Sequence, residues 1–336
     1  MKKPVSQQTT GDAPRVSVVM ITYNHEKFIG QAIESVLMQE TEFQVELVIG
    51  EDFSTDGTRQ IVRDYAARYP QVIHALLQER NLGMQKNAST VLNACRGEYL
   101  AILEGDDYWT DPSKIARQVG LMDADPATSL CFHRVAEFDE TQGKELGAIP
   151  VKDMRDFQDP VEELIRHNFI PTTSRMLRRS SMPVLDSGFE NLQLGDWPSS
   201  IMIALNGKIG FIPEIMAVYR LHGTSTWSSQ AKGERDFATY EMFHYLFQRR
   251  LGSHQLSIAR SALEYSRLAL DYRRPQGLKA NIPLIAESFK IARQTGLSGM
   301  LVHLVWFLFY LVVPGRKGRW YDAICGVKRA FTPRQK

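Results

Sequence analysis

The residues with the clearest chemical potential in this 336-residue chain are acidic, and the densest group is Glu104-Gly105-Asp106-Asp107-Tyr108-Trp109. Three carboxylates around one glycine repel one another unless a cation sits between them. Oxygen ligands in small number favour Mg²⁺ or Mn²⁺, which keep some waters and share their coordination with substrate phosphates. An acidic loop capping the next helix accounts for the same residues, because Asp111-Pro112 follows closely. Two further groups invite the same question: Thr22-Tyr23-Asn24-His25 and Glu51-Asp52-Phe53-Ser54-Thr55-Asp56-Gly57-Thr58. An aromatic face stacks on a base, a carboxylate accepts from a ring N–H, and an acidic pair holds a metal on a diphosphate. Tyr23, Asp52 and the Glu104 group together suit a nucleotide diphosphate.

Each group follows an apolar run that reads as a buried strand: 16–21, 46–50 and 99–103, with a further strand at 72–77. Between them, Phe28, Ile29, Ala32, Ile33, Val36 and Leu37 recur at helical spacing within 27–39. A second helix carries Ile61, Val62, Tyr65 and Ala66, capped by Asp56 or Thr58, and a third runs over 86–95 after the turn Arg80-Asn81-Leu82-Gly83. This alternation predicts an α/β fold: a mostly parallel, Rossmann-like sheet sandwiched by helices, with ligand at the carboxyl ends of the strands. No G-x-G-x-x-G follows a strand and no G-x-x-x-x-G-K-[ST] occurs, which disfavours a dinucleotide oxidoreductase and a P-loop ATPase.

Composition sets the outer bounds. A hydrophobic content of 43% and a charged content of 23% suit a globular protein, and a net charge of +2 gives no global field for nucleic acid. Cys95, Cys131 and Cys325 are odd in number and far apart, which fits neither a disulfide framework nor a zinc site and agrees with a reducing compartment. The polar stretch 1–15 is expected to be a flexible tail.

The first half resembles a family-2 glycosyltransferase of the inverting kind with a GT-A fold. The matching residues are Val18-Val19-Met20-Ile21-Thr22-Tyr23-Asn24, then Glu51 to Thr58, then Asn81-Leu82-Gly83, then Glu104 to Trp109, in the family's order. Glu104 stands where the family's DxD motif more often has its leading aspartate. The resemblance implies a nucleotide-sugar site of Thr22, Tyr23, Asn24, Asp52, Asn81, Lys86 and Asp106, and a divalent metal, Mn or Mg, on Asp107 and Asp106. Leu194-Gly195-Asp196-Trp197-Pro198 precedes an apolar helix over 200–205, where an aspartate by itself is an N-cap. By resemblance Asp196 is the catalytic base and Trp197 belongs to the acceptor side. Val218-Tyr219-Arg220-Leu221-His222 is similar to the family segment in which a histidine adds a metal ligand, here His222. The Gly- and Ser-rich stretch 223–229 reads as a loop that closes over donor.

The remaining pattern predicts a helix over 113–125, a strand over 129–138, a mobile acceptor-side loop or passive insertion over 141–158, a helix over 160–168 and a strand over 172–177. The catalytic domain is expected to span 16–230. Beyond it the sequence turns helical, over 237–251, 255–272 and 282–295, which makes 231–296 a helical appendage. Residues 297–313 are apolar on every face; at about 1.5 Å per residue such a helix is roughly 26 Å long, short of a bilayer core of about 30 Å. Lys290 and Arg293 precede it, and Arg316, Lys317, Arg319, Lys328 and Arg329 follow. A shallow or re-entrant membrane helix on anionic lipid fits these flanks, with a buried core helix as the alternative.

The expected function is therefore transfer of a sugar from a nucleotide diphosphate-sugar, with UDP favoured, to a hydroxyl of a saccharide or lipid-linked saccharide acceptor. The setting implied is cell-surface polysaccharide or glycolipid synthesis, at the cytoplasmic face of the membrane as a peripheral or monotopic protein. A sugar nucleotidyltransferase is one alternative, although no glycine-rich phosphate loop with a lysine follows the first strand. A non-catalytic scaffold that binds nucleotide sugar is another.

Overall fold

The computed structural model describes residues 3–8, 13–150, 157–223 and 230–312. Val16–Thr22 (β1), Val45–Glu51 (β2), Ile73–Leu77 (β3) and Tyr99–Glu104 (β4) lie in the order β3-β2-β1-β4, all parallel. Every residue of β2, and all but Ile21 in β1, is buried, as strands covered on both faces require. Register matters more than order here: Thr22 pairs with Glu51 and Ile21 with Glu104, so β1, β2 and β4 end level and present their terminal loops along one edge. The crossovers are Ile29–Leu37 (α1), Thr58–Arg68 (α2) and Met84–Ala94 (α3). Gly50 lets α3 approach β2, since a Cβ there would stand 2.5 Å from Asn87 Oδ1 and from Val91 Cγ2.

The second half turns the sheet mixed. Tyr108–Trp109 (β5), Lys114–Ala124 (α4), Thr128–Asp139 (β6), Lys144–Ile149 (β7), Pro160–Arg166 (α5), Met176–Arg178 (β8), Ser187–Glu190 (α6), Asp196–Ala204 (α7) and Lys208–Leu221 (β9) follow in chain order. β8 inserts antiparallel between β4 and β6, while β9 runs parallel to β6 and antiparallel to β5. β9 carries an irregularity along its length, where register shifts flank Ile215 just after Pro213.

Three expectations change. The stretch 141–158 is not simply a loop: β7 pairs antiparallel with β6, while 151–156 lies outside the described residues. Residues 172–174 form a 3₁₀ turn after Pro171 rather than strand, with Ser174 N–H donating to Pro171 O at 3.1 Å. Residues 3–8 are not frayed: Lys3–Pro4 pairs with Glu40–Thr41, Val5 is fully buried, and the Gln8 amide donates to Thr41 Oγ1 and Phe43 O and accepts from Val45 N–H.

Contacts divide the chain into Met1–Gln230 and Ala231–Lys336. The second unit comprises Lys232–Gln248 (α8), Gln255–Arg273 (α9), Leu278–Gln294 (α10) and Gly296–Val312 (α11). His303 anchors α11 from its buried face: its Nε2 lies 2.9 Å from Ser288 Oγ and its ring meets Phe289 edge-on. Leu301, Leu304, Val305 and Leu308, at 54, 43, 41 and 51% exposure, lie on the opposite, open face. Among the described residues no helix is long and apolar enough to cross a membrane.

Candidate active site

β4 ends in the acidic group, and a turn closed by Asp107 N–H donating to Glu104 O at 3.1 Å folds the three carboxylates together. Ligand oxygens of Glu104, Asp106 and Asp107 all lie within 4.8 Å of one another. Asp107 is buried; its Oδ1 accepts from Arg220 N–H at 2.9 Å, and its Oδ2 is buried with no hydrogen-bond partner. Asp106 Oδ2 stands 3.1 Å from His222 Nε2 and 3.6 Å from His25 Nε2. Arg220 braces the turn, donating to Asp106 O at 2.6 Å and to Glu140 Oε1 at 2.7 Å, reaching Gln31 Oε1, and stacking 4.2 Å above the Tyr108 ring.

Crowding sets the protonation. Burial, then the charges of Asp106 and Asp196, push the Glu104 carboxyl up to about 8 against the pull of Arg175. Burial, then Asp106 and Glu104, raise Asp107 well above the usual carboxylate range. Burial alone would raise Asp106 too, but the His222 hydrogen bond and the charges of both histidines outweigh it and hold the group low. Burial lowers His25, with Asp106 opposing. A buried orphan oxygen beside two more carboxylates that resist ionising together fits a divalent cation.

The other two strand ends meet this edge. Thr22 is buried and Tyr23 is 42% exposed, offering its ring to solvent. Asn24 takes a left-handed backbone (φ 57°) and its Oδ1 accepts from Thr55 N–H at 2.8 Å, tying the first loop to the second. Asp52 Oδ1 accepts from Leu82 N–H at 2.7 Å and Oδ2 from Gly83 N–H at 3.0 Å, while Asn81 Oδ1 accepts from the same Gly83 N–H. Asp52 therefore shapes the 81–83 turn, and Lys86 lies exposed one turn into α3.

Asp196 opens α7. Asn168 Nδ2 and Thr172 Oγ1 both donate to its Oδ2 at 3.1 Å, and Arg175 Nη1 donates to its carbonyl at 2.9 Å. Arg175 is buried, also donates to Ser199 and Ser200, and sits in the fields of both Glu104 and Asp196. The sheet thus joins Asp196 electrostatically to the acidic group. Trp197, expected on the acceptor side, is 7% exposed and donates its indole N–H to Leu164 O at 2.7 Å, tying α7 to α5. The loop 224–229, expected to close over donor, lies outside the described residues. Residues that sequence reasoning did not single out as site residues are His25, Asn168, Thr172 and Arg175. Only His25 carried a signal, by its place in the first strand-end loop.

Comparison with known proteins places this geometry. An uncharacterised protein of Mycobacterium tuberculosis is 42% identical over 222 residues, 66% of this chain and 63% of that protein. The chain therefore spans just under two thirds of the length of such curated relatives. Staphylococcus aureus TarS 1–349, solved with UDP-GlcNAc, superposes with a TM-score of 0.61 at 16% identity, covering 88% of this chain and 87% of that one. The mannosyltransferase PcManGT of Pyrobaculum calidifontis, solved with GDP-Man and Mn²⁺, does so at 0.52 with 17% identity, covering 93 and 90%. Such superpositions establish the fold, of GT-A type with a C-terminal helical region. The profile described as Glycosyl transferase family 2 matches residues 17–184, which take in the three level strand ends and half of the chain. By that match the chain belongs to glycosyltransferase family 2.

Proposed function

We propose that this glycosyltransferase is an inverting enzyme, moving a sugar from a nucleotide diphosphate-sugar, UDP-sugar favoured, to a hydroxyl of a saccharide or lipid-linked saccharide acceptor. The observation that carries the reading is the acidic group with its orphan Asp107 Oδ2, whose Glu104 feels the charge of the oriented Asp196 carboxylate. Tyr23 stacks the base, Asp52 and the turn it shapes receive the ring edge, and Thr22, Asn24, Asn81, Lys86 and Asp106 line the donor. Asp106, Asp107 and His222 are the residues to hold a divalent metal, which when bound supplies positive charge against the departing diphosphate. Asp196 accepts the acceptor's hydroxyl proton as that oxygen bonds to the anomeric carbon from the face opposite the diphosphate. The carbon–oxygen bond to the diphosphate breaks and its electron pair leaves with the phosphate. No sugar–enzyme bond forms. Asn168 and Thr172 restrain one oxygen of the base and so fix the direction of the other.

The helical unit is read, by itself, as contacting a membrane surface. Leu301, Leu304, Val305 and Leu308 follow helical spacing on the open face of α11, and the sequence beyond it is basic, which suits lipid with anionic headgroups. That surface and the cysteine pattern support the reading of a cytoplasmic, peripheral protein in cell-surface polysaccharide or glycolipid synthesis.

The test is nucleoside diphosphate release from UDP- and GDP-sugars by the full chain, with membrane lipid extract as acceptor, with and without EDTA. Metal-dependent release is expected, and Asp196→Asn should lose about 10²-fold or more in transfer while still binding nucleotide. Transfer at the wild-type rate by Asp196→Asn would remove the base assignment, and EDTA-resistant transfer the metal. Pyrophosphate release from a nucleoside triphosphate and a sugar 1-phosphate would instead mark a nucleotidyltransferase.

A further inference from the structure

Motif spacing does not single out His25, yet its Nε2 stands 3.6 Å from Asp106 Oδ2 in the acidic group. We propose that His25 is a metal-ligating residue which, with His222, makes the Asp106–Asp107 site select Mn²⁺ over Mg²⁺; this rests on the metal reading given above.

The geometry is that of donors around one point. His222 Nε2 and His25 Nε2 lie 3.1 and 3.6 Å from the same oxygen, Asp106 Oδ2. Their rings stand 6.3 Å apart and nearly perpendicular, at 87°, so the two nitrogens reach that oxygen from different directions. Donors bound at about 2.1 Å in neighbouring octahedral positions are about 3 Å apart. The two separations from Asp106 Oδ2 are near that value, and Asp107 Oδ2 is a further ligand in want of a partner.

The fold itself makes no use of the imidazole. The loop is secured by the His25 backbone: its N–H donates to Thr58 Oγ1 at 2.8 Å, and its carbonyl accepts from Phe28 and Ile29 N–H at 2.8 and 2.9 Å. The ring's other nitrogen, Nδ1, is buried without a hydrogen-bond partner. A side chain brought to the Asp106 carboxylate, while the backbone carries the structure, is free to serve the site.

Ligand chemistry then decides the ion. Carboxylates alone accept Mg²⁺ and Mn²⁺ alike, whereas each imidazole favours a transition ion over Mg²⁺. One histidine tilts the choice and two enforce it. A simple ion pair between His25 and Asp106 would have no such consequence.

The experiment titrates the full chain with Mn²⁺ alone, reading free Mn²⁺ by electron paramagnetic resonance, and repeats it with Mg²⁺ as competitor. Wild type should bind Mn²⁺ at least about 10-fold more tightly than Mg²⁺, and His25→Gln should lose about 10-fold or more of its Mn²⁺ affinity while Mg²⁺ binding changes little. Pulsed measurement of ¹⁴N coupling to bound Mn²⁺ should count two nitrogens in wild type and one in His25→Gln. His25→Asn repeats the test with a shorter side chain, and an unchanged melting profile shows that either variant is folded. Equal Mn²⁺ affinity and nitrogen count in wild type and His25→Gln would overturn the proposal. If Asp107→Ala loses Mn²⁺ while His25→Gln does not, only the role of His25 falls. If wild type binds no Mn²⁺, or Asp107→Ala binds it as wild type does, the metal reading falls and the proposal with it.

Discussion

Lys114, the first residue of α4, is fully buried; its ammonium lies 3.7 Å from the centre of the Trp109 ring and has no hydrogen-bond partner. Burial drives its pKa down from 10.5 to about 7. At about 1.4 kcal/mol per pH unit, that displacement costs the folded state about 5 kcal/mol at low pH. The sign follows from proton counting. Below pH 7 both states carry the proton and the cost is constant. Between 7 and 10.5 the unfolded chain keeps a proton that the folded chain has lost, so stability rises with pH, and above 10.5 the cost is gone. Lys114→Met keeps an unbranched side chain of similar length and removes the charge. It should stabilise the N-terminal unit by about 5 kcal/mol at pH 6.5 and by almost nothing at pH 10.5. Hydrogen exchange of the β1 and β4 amides under urea at each pH reads that unit by itself. A difference between variant and wild type that does not shrink with rising pH would refute the argument, as would a variant less stable than wild type at pH 6.5.

Two further outcomes complete those stated with the proposals. Thr172→Val removes one donor to Asp196 Oδ2 and should lower kcat about 5-fold, the worth of about 1 kcal/mol, with the donor KM unchanged and Thr172→Ser restoring the rate; a matching rise in donor KM would show a general disturbance instead. Replacing Leu304 and Leu308 with Gln should abolish co-sedimentation with phosphatidylglycerol vesicles, which wild type should bind better than phosphatidylcholine vesicles and less well in high salt. Equal binding by wild type and variant would remove α11 from the membrane contact.

Much of the fold was legible because its signals are local. The runs that become β1, β2 and β4 are apolar over five or six residues and stop at polar turns, and α1 to α3 carry their periodicity within three turns. β7 was missed because Lys144–Ile149 is largely exposed and lacks an apolar stripe; only pairing with β6 makes it a strand. The segment 3–8 was missed for a similar reason, since Gln8 reads as a surface residue until Thr41, Phe43 and Val45 meet its amide.

By itself, then, the sequence determined the alternating strands and helices, the acidic turn after the fourth strand and the candidate base at a helix entry, each written within a dozen neighbouring residues. The tertiary structure decided which distant groups meet those carboxylates: His222 at Asp106 across 116 positions, His25 beside it, Arg220 N–H on Asp107 across 113, and Asn168, Thr172 and Arg175 around Asp196. Periodicity records which face of an element is buried, but a hydrogen bond between separate loops depends on strand register and packing, which no local pattern encodes.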